Sequence, residues 1–170
     1  MASSRSEYVT DANVLIDLHF GRVRDALFSM PAEFVAPDVI VAELESPNGR
    51  SLLRAGRRQE SLPGEGVSAA VELMAEDSHI SVQDAFALAL ADRTGRVLLT
   101  GEKRLRELAQ RRGVEVHGTL WVLEQMIANG TLTRLRAADA LETMLDSGCR
   151  LPETESRNLI RRWRTTKENE

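Results

Sequence analysis

Short runs of strand character recur along this chain, at residues 7–10, 34–36, 97–99 and 114–116, and each gives way to a segment whose apolar residues fall at helical spacing. Strands separated by helices return to one sheet most simply as parallel neighbours. The pattern therefore predicts an α/β fold, three-layer α/β/α with a mainly parallel central sheet. Helices are predicted over 12–18, 39–44, 52–55, 67–75, 82–93, 103–112, 121–127, 135–145 and 155–164, with an edge strand over 58–62. Breaks at Pro47 to Gly49 and at Pro63, Gly64 and Gly66, and stops at Gly95, Gly113 and Gly130, punctuate them. A length of 170 residues suits one domain, read as a core over 1–130 with a helical extension of the same domain over 131–170. Only 4% of residues are aromatic, so the core must be built from Leu, Val, Ala and Ile.

The formal net charge of −4 opposes a protein that coats nucleic acid with a basic surface. It leaves a nuclease open, because a site for divalent cations is itself rich in carboxylates. Arg104, Arg106, Arg111 and Arg112 form one basic cluster, and Arg161, Arg162, Arg164 and Lys167 another. Each is either a phosphate track or a solvated helix face. The lone Cys149 has no intrachain partner, and the N-terminal residues lack the apolar stretch of a secretory signal, so a cytoplasmic location is expected. The longest apolar run, 86–91, is far too short to span a bilayer, and no membrane role is expected.

Four acids stand beside segments that read as buried: Asp11, Glu43, Asp84 and Glu102. A carboxylate directly after an apolar strand must be paired, hydrogen-bonded or bound to a cation. Asp84 also has a local explanation, since Ser81 to Asp84 has the form of a capping box. Asp11 and Glu102 follow strand ends, where open α/β sheets bind their ligands.

At this point the residues resemble a known family. VTDANVLIDL at 9–18, PDVIVAEL at 37–44, SVQDAFALALA at 81–91 and LLTGEKRLRELA at 98–109 are similar, in order, to the four acidic segments of PIN domains. The closing VEVHGTLWVLEQM at 114–126 fits the same pattern, so that the resemblance spans residues 8–127. It places Asp11, Glu43 and Asp84 in the acid positions, with Glu102 where the family usually has Asp. The resemblance implies a metal-dependent ribonuclease holding Mg²⁺ or Mn²⁺. Asp11 and Asp84 would be the principal ligands, Glu43 a ligand directly or through water, and Glu102 the variable fourth acid. Asn13 and Thr100 would orient carboxylates or waters; otherwise Asn13 is a helix N-cap and Thr100 a strand-end hydroxyl. Many small PIN proteins are toxins of toxin-antitoxin pairs of the VapC type, which implies an RNA substrate, a cognate antitoxin and a homodimer.

Rival readings fit less well. An aspartyl phosphatase needs a second Asp where this chain has Asn13, which cannot donate the required proton. A phosphorylated receiver needs its acceptor Asp at the end of a middle strand, whereas Asp84 opens a helix. A binding or scaffold protein with a degenerate metal site is the alternative that Glu102 leaves standing. His19, His79 and His117 lack metal-ligand spacing and read as packing or surface residues. Trp121 lies in an apolar helical pattern and reads as core; Trp163, among arginines, is the better candidate for stacking on a base.

Overall fold

The computed structural model describes residues 5–38 and 58–166. The helices expected over 39–44 and 52–55, and with them Glu43, lie outside that range. Five strands form the sheet: β1 (Ser6–Thr10), β2 (Ala32–Pro37), β3 (Arg58–Glu60), β4 (Val97–Leu99) and β5 (Val116–His117). All four pairings are parallel, in the order β3-β2-β1-β4-β5. The chain thus builds outward from β1 in one direction through β2 and β3, then crosses back to add β4 and β5 on the other side. The crevice where that direction reverses lies between the carboxyl ends of β1 and β4.

Alternation along the strands sorts side chains onto two faces. Val9, Val35 and Leu98 pack with α3 (Gly64–Glu76), α4 (Val82–Thr94) and α5 (Lys103–Arg111). Tyr8, Phe34 and Leu99 face the other way, toward α1 (Ala12–Phe20), α2 (Arg24–Phe28), α6 (Thr119–Ala128), α7 (Arg134–Asp146) and α8 (Glu153–Thr165). This is the three-layer α/β/α arrangement that the sequence pattern predicts. The last two helices close the second layer rather than standing apart, for Ala137, Leu141, Met144, Ile160 and Trp163 belong to the same buried cluster as Leu15 and Leu18 of α1. The packing of α1 on α7 is close: a Cβ added at Gly21 would collide with Met144 Cε.

Several details of local structure depart from the sequence reading. The five-residue α2 is too short to show a helical period, and the fifth strand is displaced from 114–116 to Val116–His117. The expected break at Gly64 and Gly66 lies inside α3, which starts directly after Pro63, and α6 starts two residues before the expected 121, whereas α4 starts and stops on the expected punctuation. Ser81 accepts the Asp84 N–H as N-cap of α4 (3.1 Å), and Gly95 ends that helix in the left-handed conformation at φ 68°.

Candidate metal centre

The centre starts from Asp11, the residue after β1. Its backbone N–H donates to the Leu99 carbonyl (3.0 Å), which continues the β1–β4 ladder by one step, and the Thr100 N–H does the same toward His117 O (2.9 Å). Asp11 and Thr100 therefore stand side by side at the carboxyl ends of neighbouring strands. Asp11 is 1% exposed. Its Oδ1 accepts the Val14 N–H at 3.0 Å, making it the N-cap of α1, and its Oδ2 accepts the Thr100 hydroxyl. Thr100 Oγ1 in turn accepts the Glu102 N–H at 3.1 Å. The hydroxyl thus links two of the four acids expected at the centre. Asn13, which caps nothing, is exposed on the first turn of α1 and donates from Nδ2 to Glu102 Oε2 at 3.4 Å.

Electrostatics tie in the third acid. Burial pushes the Asp11 carboxyl up from an ordinary 3.8 to about 7 against the pull of its two hydrogen bonds, and the charges of Asp84 and Asp17 add to the rise. Asp84, half-buried in the first turn of α4, is also raised, first by desolvation and further by the charge of Glu102, while Ser81 opposes the shift. Asp84 is therefore both a capping-box acid and a member of the acidic group. Asp11, Asp84 and Glu102 share one field.

Such a group suits a hard divalent cation. The donors are all oxygen, and two of the three carboxyls are held above their ordinary range, first by burial and further by neighbouring acids. Among the described residues no set of three or more His, Cys, Asp or Glu stands close enough to hold a metal by itself. Glu43 is not among those residues.

Other expectations are corrected. Trp163 is buried at 3% exposure in the second core cluster and cannot stack on a base. Trp121 is the accessible indole: it lies half-buried, with His117 stacked on it at 4.0 Å and Tyr8 edge-on at 5.9 Å. The arginine clusters are mostly internal ion pairs. Arg104 bonds Asp77 (3.5 Å), Arg111 and Arg112 reach Glu76 (4.0 and 2.7 Å), Arg162 pairs with Glu124, and Arg164 spans Asp139 and Glu142. Lys167 lies outside the described residues.

Sequence reasoning passed over Asp17. This buried acid on α1 accepts the Thr119 hydroxyl at 2.7 Å and lies against Cys149, whose thiol is pushed up to about 12 by burial and by that carboxylate. The available signal was its position with Val14, Leu18 and Gly21 on one helical face, where an acid is out of place.

Comparison with known proteins agrees with the fold. The family description that matches the chain, over residues 7–165, is that of a PIN domain. The chain belongs to the PIN-domain family, a nuclease-type fold whose members are in general nucleases. A PilT N-terminus domain protein from the hyperthermophilic archaeon Sulfolobus solfataricus P2 is similar in structure, with a TM-score of 0.50 and 14% identity, covering 71% of this chain and 93% of its own. No curated protein matches. Among the described residues no helix is long and apolar enough to cross a membrane.

Proposed function

We propose that this PIN domain is a metal-dependent endoribonuclease and the toxin of a toxin-antitoxin pair. The observation that carries the nuclease reading is the buried Asp11, fixed by Thr100 at the strand crossover within the field of Asp84 and Glu102. Asp11 and Asp84 would hold Mg²⁺ or Mn²⁺, with Glu43 directly or through water and Glu102 as the fourth acid. When bound, the cation supplies Lewis-acid polarisation of a phosphodiester and activation of water.

The chain's own groups prepare that chemistry. Val14 N–H and the Thr100 hydroxyl occupy one lone pair on each Asp11 oxygen and stop the carboxylate from rotating, which leaves the remaining lone pairs aimed in fixed directions. Thr100 fixes the Glu102 backbone and Asn13 holds its carboxylate, offsetting the extra freedom of the additional methylene. Folding brings acids together that repel, and that repulsion is relieved by protonation or by a cation.

Incubation of purified protein with a mixed structured RNA, in Mn²⁺, Mg²⁺ or chelator, tests the reading. Chelator-sensitive cleavage that disappears in Asp11→Asn is the expected result. Absence of cleavage by folded, antitoxin-free protein would favour a binding or scaffold role with Glu102 as the lesion. Co-purification with a small protein encoded by an adjacent gene tests the toxin role separately.

A further inference from the structure

Three helices begin around one cavity. α5 starts after Glu102, α6 after Gly118 and α8 after Pro152, and none of the three has a side-chain N-cap. Residues at all three starts line a space of about 560 Å³, within the roughly 300–1,000 Å³ typical of small-molecule sites. Lys103, Arg106 and Arg150 are among the residues that line it, with Glu155 as the single acid, and the stacked pair His117 and Trp121 forms its aromatic side.

The cations at this cavity differ from the ion-paired arginines elsewhere on α5. Neighbouring arginines on α5 are tied to acids of the α3 segment, yet among the described residues Arg106 and Arg150 make no ion pair, and Lys103 has only a loose, exposed contact with Glu107 at 3.9 Å. The cavity also abuts the acidic centre. A Cβ at Gly118 would stand 3.5 Å from the Thr100 carbonyl oxygen and 3.7 Å from Arg106 Nη1, so the guanidinium and the threonine that holds Asp11 flank the same glycine. Unpaired guanidinium groups suit an anion, and aromatic rings beside them suit the sugar or base attached to it.

We propose that this cavity seats a nucleotide of single-stranded RNA adjoining the bond to be cleaved, its phosphate on Arg106 and Arg150 and its base or sugar against Trp121. The register relative to the scissile bond rests on the nuclease reading given above; the binding of the strand does not. The turn after α7 and the start of α8 then have a role in recognition, supplying Arg150 and the cavity wall.

The test is fluorescence anisotropy of a short labelled single-stranded RNA with the full chain carrying Asp11→Asn, which keeps the strand uncut, at several salt concentrations. Adding Arg106→Ala and Arg150→Ala is expected to weaken binding on the order of tenfold or more. It should also flatten the dependence of log K on log salt by roughly 0.7, the value for one lost phosphate contact in a single strand. Arg106→Lys should restore most of the slope, and RNA should quench the Trp121 emission, whereas Trp163 is sealed in the core. Unchanged affinity and slope in a double variant whose circular dichroism matches the parent would overturn the proposal. RNA bound through these arginines but left uncut by the wild-type chain would refute the nuclease reading alone, while cleavage and binding indifferent to the arginines would refute the cavity alone.

Discussion

Replacing Asp11 by Asn should make the metal-free protein more stable, not less, above neutral pH. The carboxyl moves from an ordinary 3.8 to about 7 on folding, because burial removes it from water and Asp84 and Asp17 repel its charge. A raised folded-state value favours the protonated form, so the contribution of this group is fully present below about pH 4 and is lost as the pH rises through 7. The gap of about 3 pH units corresponds to roughly 4 kcal/mol lost by pH 8. Asn carries no charge to desolvate. It keeps the cap to Val14, being as good an N-cap as Asp, but its amide must donate where Asp11 Oδ2 accepts from Thr100. Thr100 Oγ1 already accepts from Glu102, so its own proton needs a new acceptor, which offsets about 1 kcal/mol.

A net gain of roughly 2–3 kcal/mol at pH 8 is therefore expected, or about 4–12 °C in Tm for a domain of this size. Urea melts of chelator-treated wild type and Asp11→Asn at pH 5 and pH 8 read it directly. Wild type should lose stability between the two pH values more steeply than the variant, and Mn²⁺ should narrow the difference at pH 8. Equal pH slopes, or a variant weaker than wild type at pH 8, would refute the account of Asp11 as an uncompensated buried charge.

Trp163→Ala should cost about 3–5 kcal/mol in a denaturant melt, as a large side chain lost from a sealed core, where a base-stacking residue would cost little. Gly21→Ala should cost roughly 1–3 kcal/mol despite its gain in helix propensity, because the new methyl collides with Met144; Met144→Ala in the same chain should relieve that specific clash in a double-mutant cycle. Cys149 should react slowly with iodoacetamide at pH 8, and Asp17→Asn should speed it by removing the carboxylate that opposes the thiolate. Arg96 donates to Glu7 at 2.5 Å and holds its carboxyl below the usual range, so that contribution is present above about pH 4.3 and fades as the pH falls further. Arg96→Gln should flatten that acid limb, measured as Tm against pH.

The sheet was legible because its strands are short apolar or β-branched runs set between periodic helices. Val97 to Leu99, closed by Gly95 on one side and Thr100 on the other, reads the same way in sequence and in space. Asp11 was legible for a related reason: an acid at the end of a buried strand contradicts its surroundings. Asp84 was ambiguous by sequence because one residue does two things, capping α4 and sharing the field of Glu102. What escaped depends on long-range pairing. Nothing local distinguishes Arg106 from Arg104, yet one faces the cavity and the other bonds Asp77. Trp163 escaped because arginine neighbours along the chain say nothing about which face of α8 meets the core, and Ile160 and Trp163 at i, i+3 were the better guide; Trp121, read as core, is partly buried against the second core cluster.

The crossover also explains why the acidic centre and the cationic cavity lie against each other. Because β4 inserts beside β1, the loop after β4 meets the start of α1, and Thr100 can reach Asp11 across 89 residues of sequence. Because β5 adds outside β4, the loop after β5 comes next in line, bringing Gly118, Thr119 and Trp121 to the same edge. Parallel strands followed by helices put helix starts near the carboxyl edge, and two of those starts, of α5 and α6, meet the start of α8 around the cavity without side-chain caps. One edge thus carries negative side chains where β1 meets β4 and positive side chains with helix N-termini one strand further out. A cation is attracted to the first and a phosphodiester strand to the second, from a sequence whose net charge gives no hint of either.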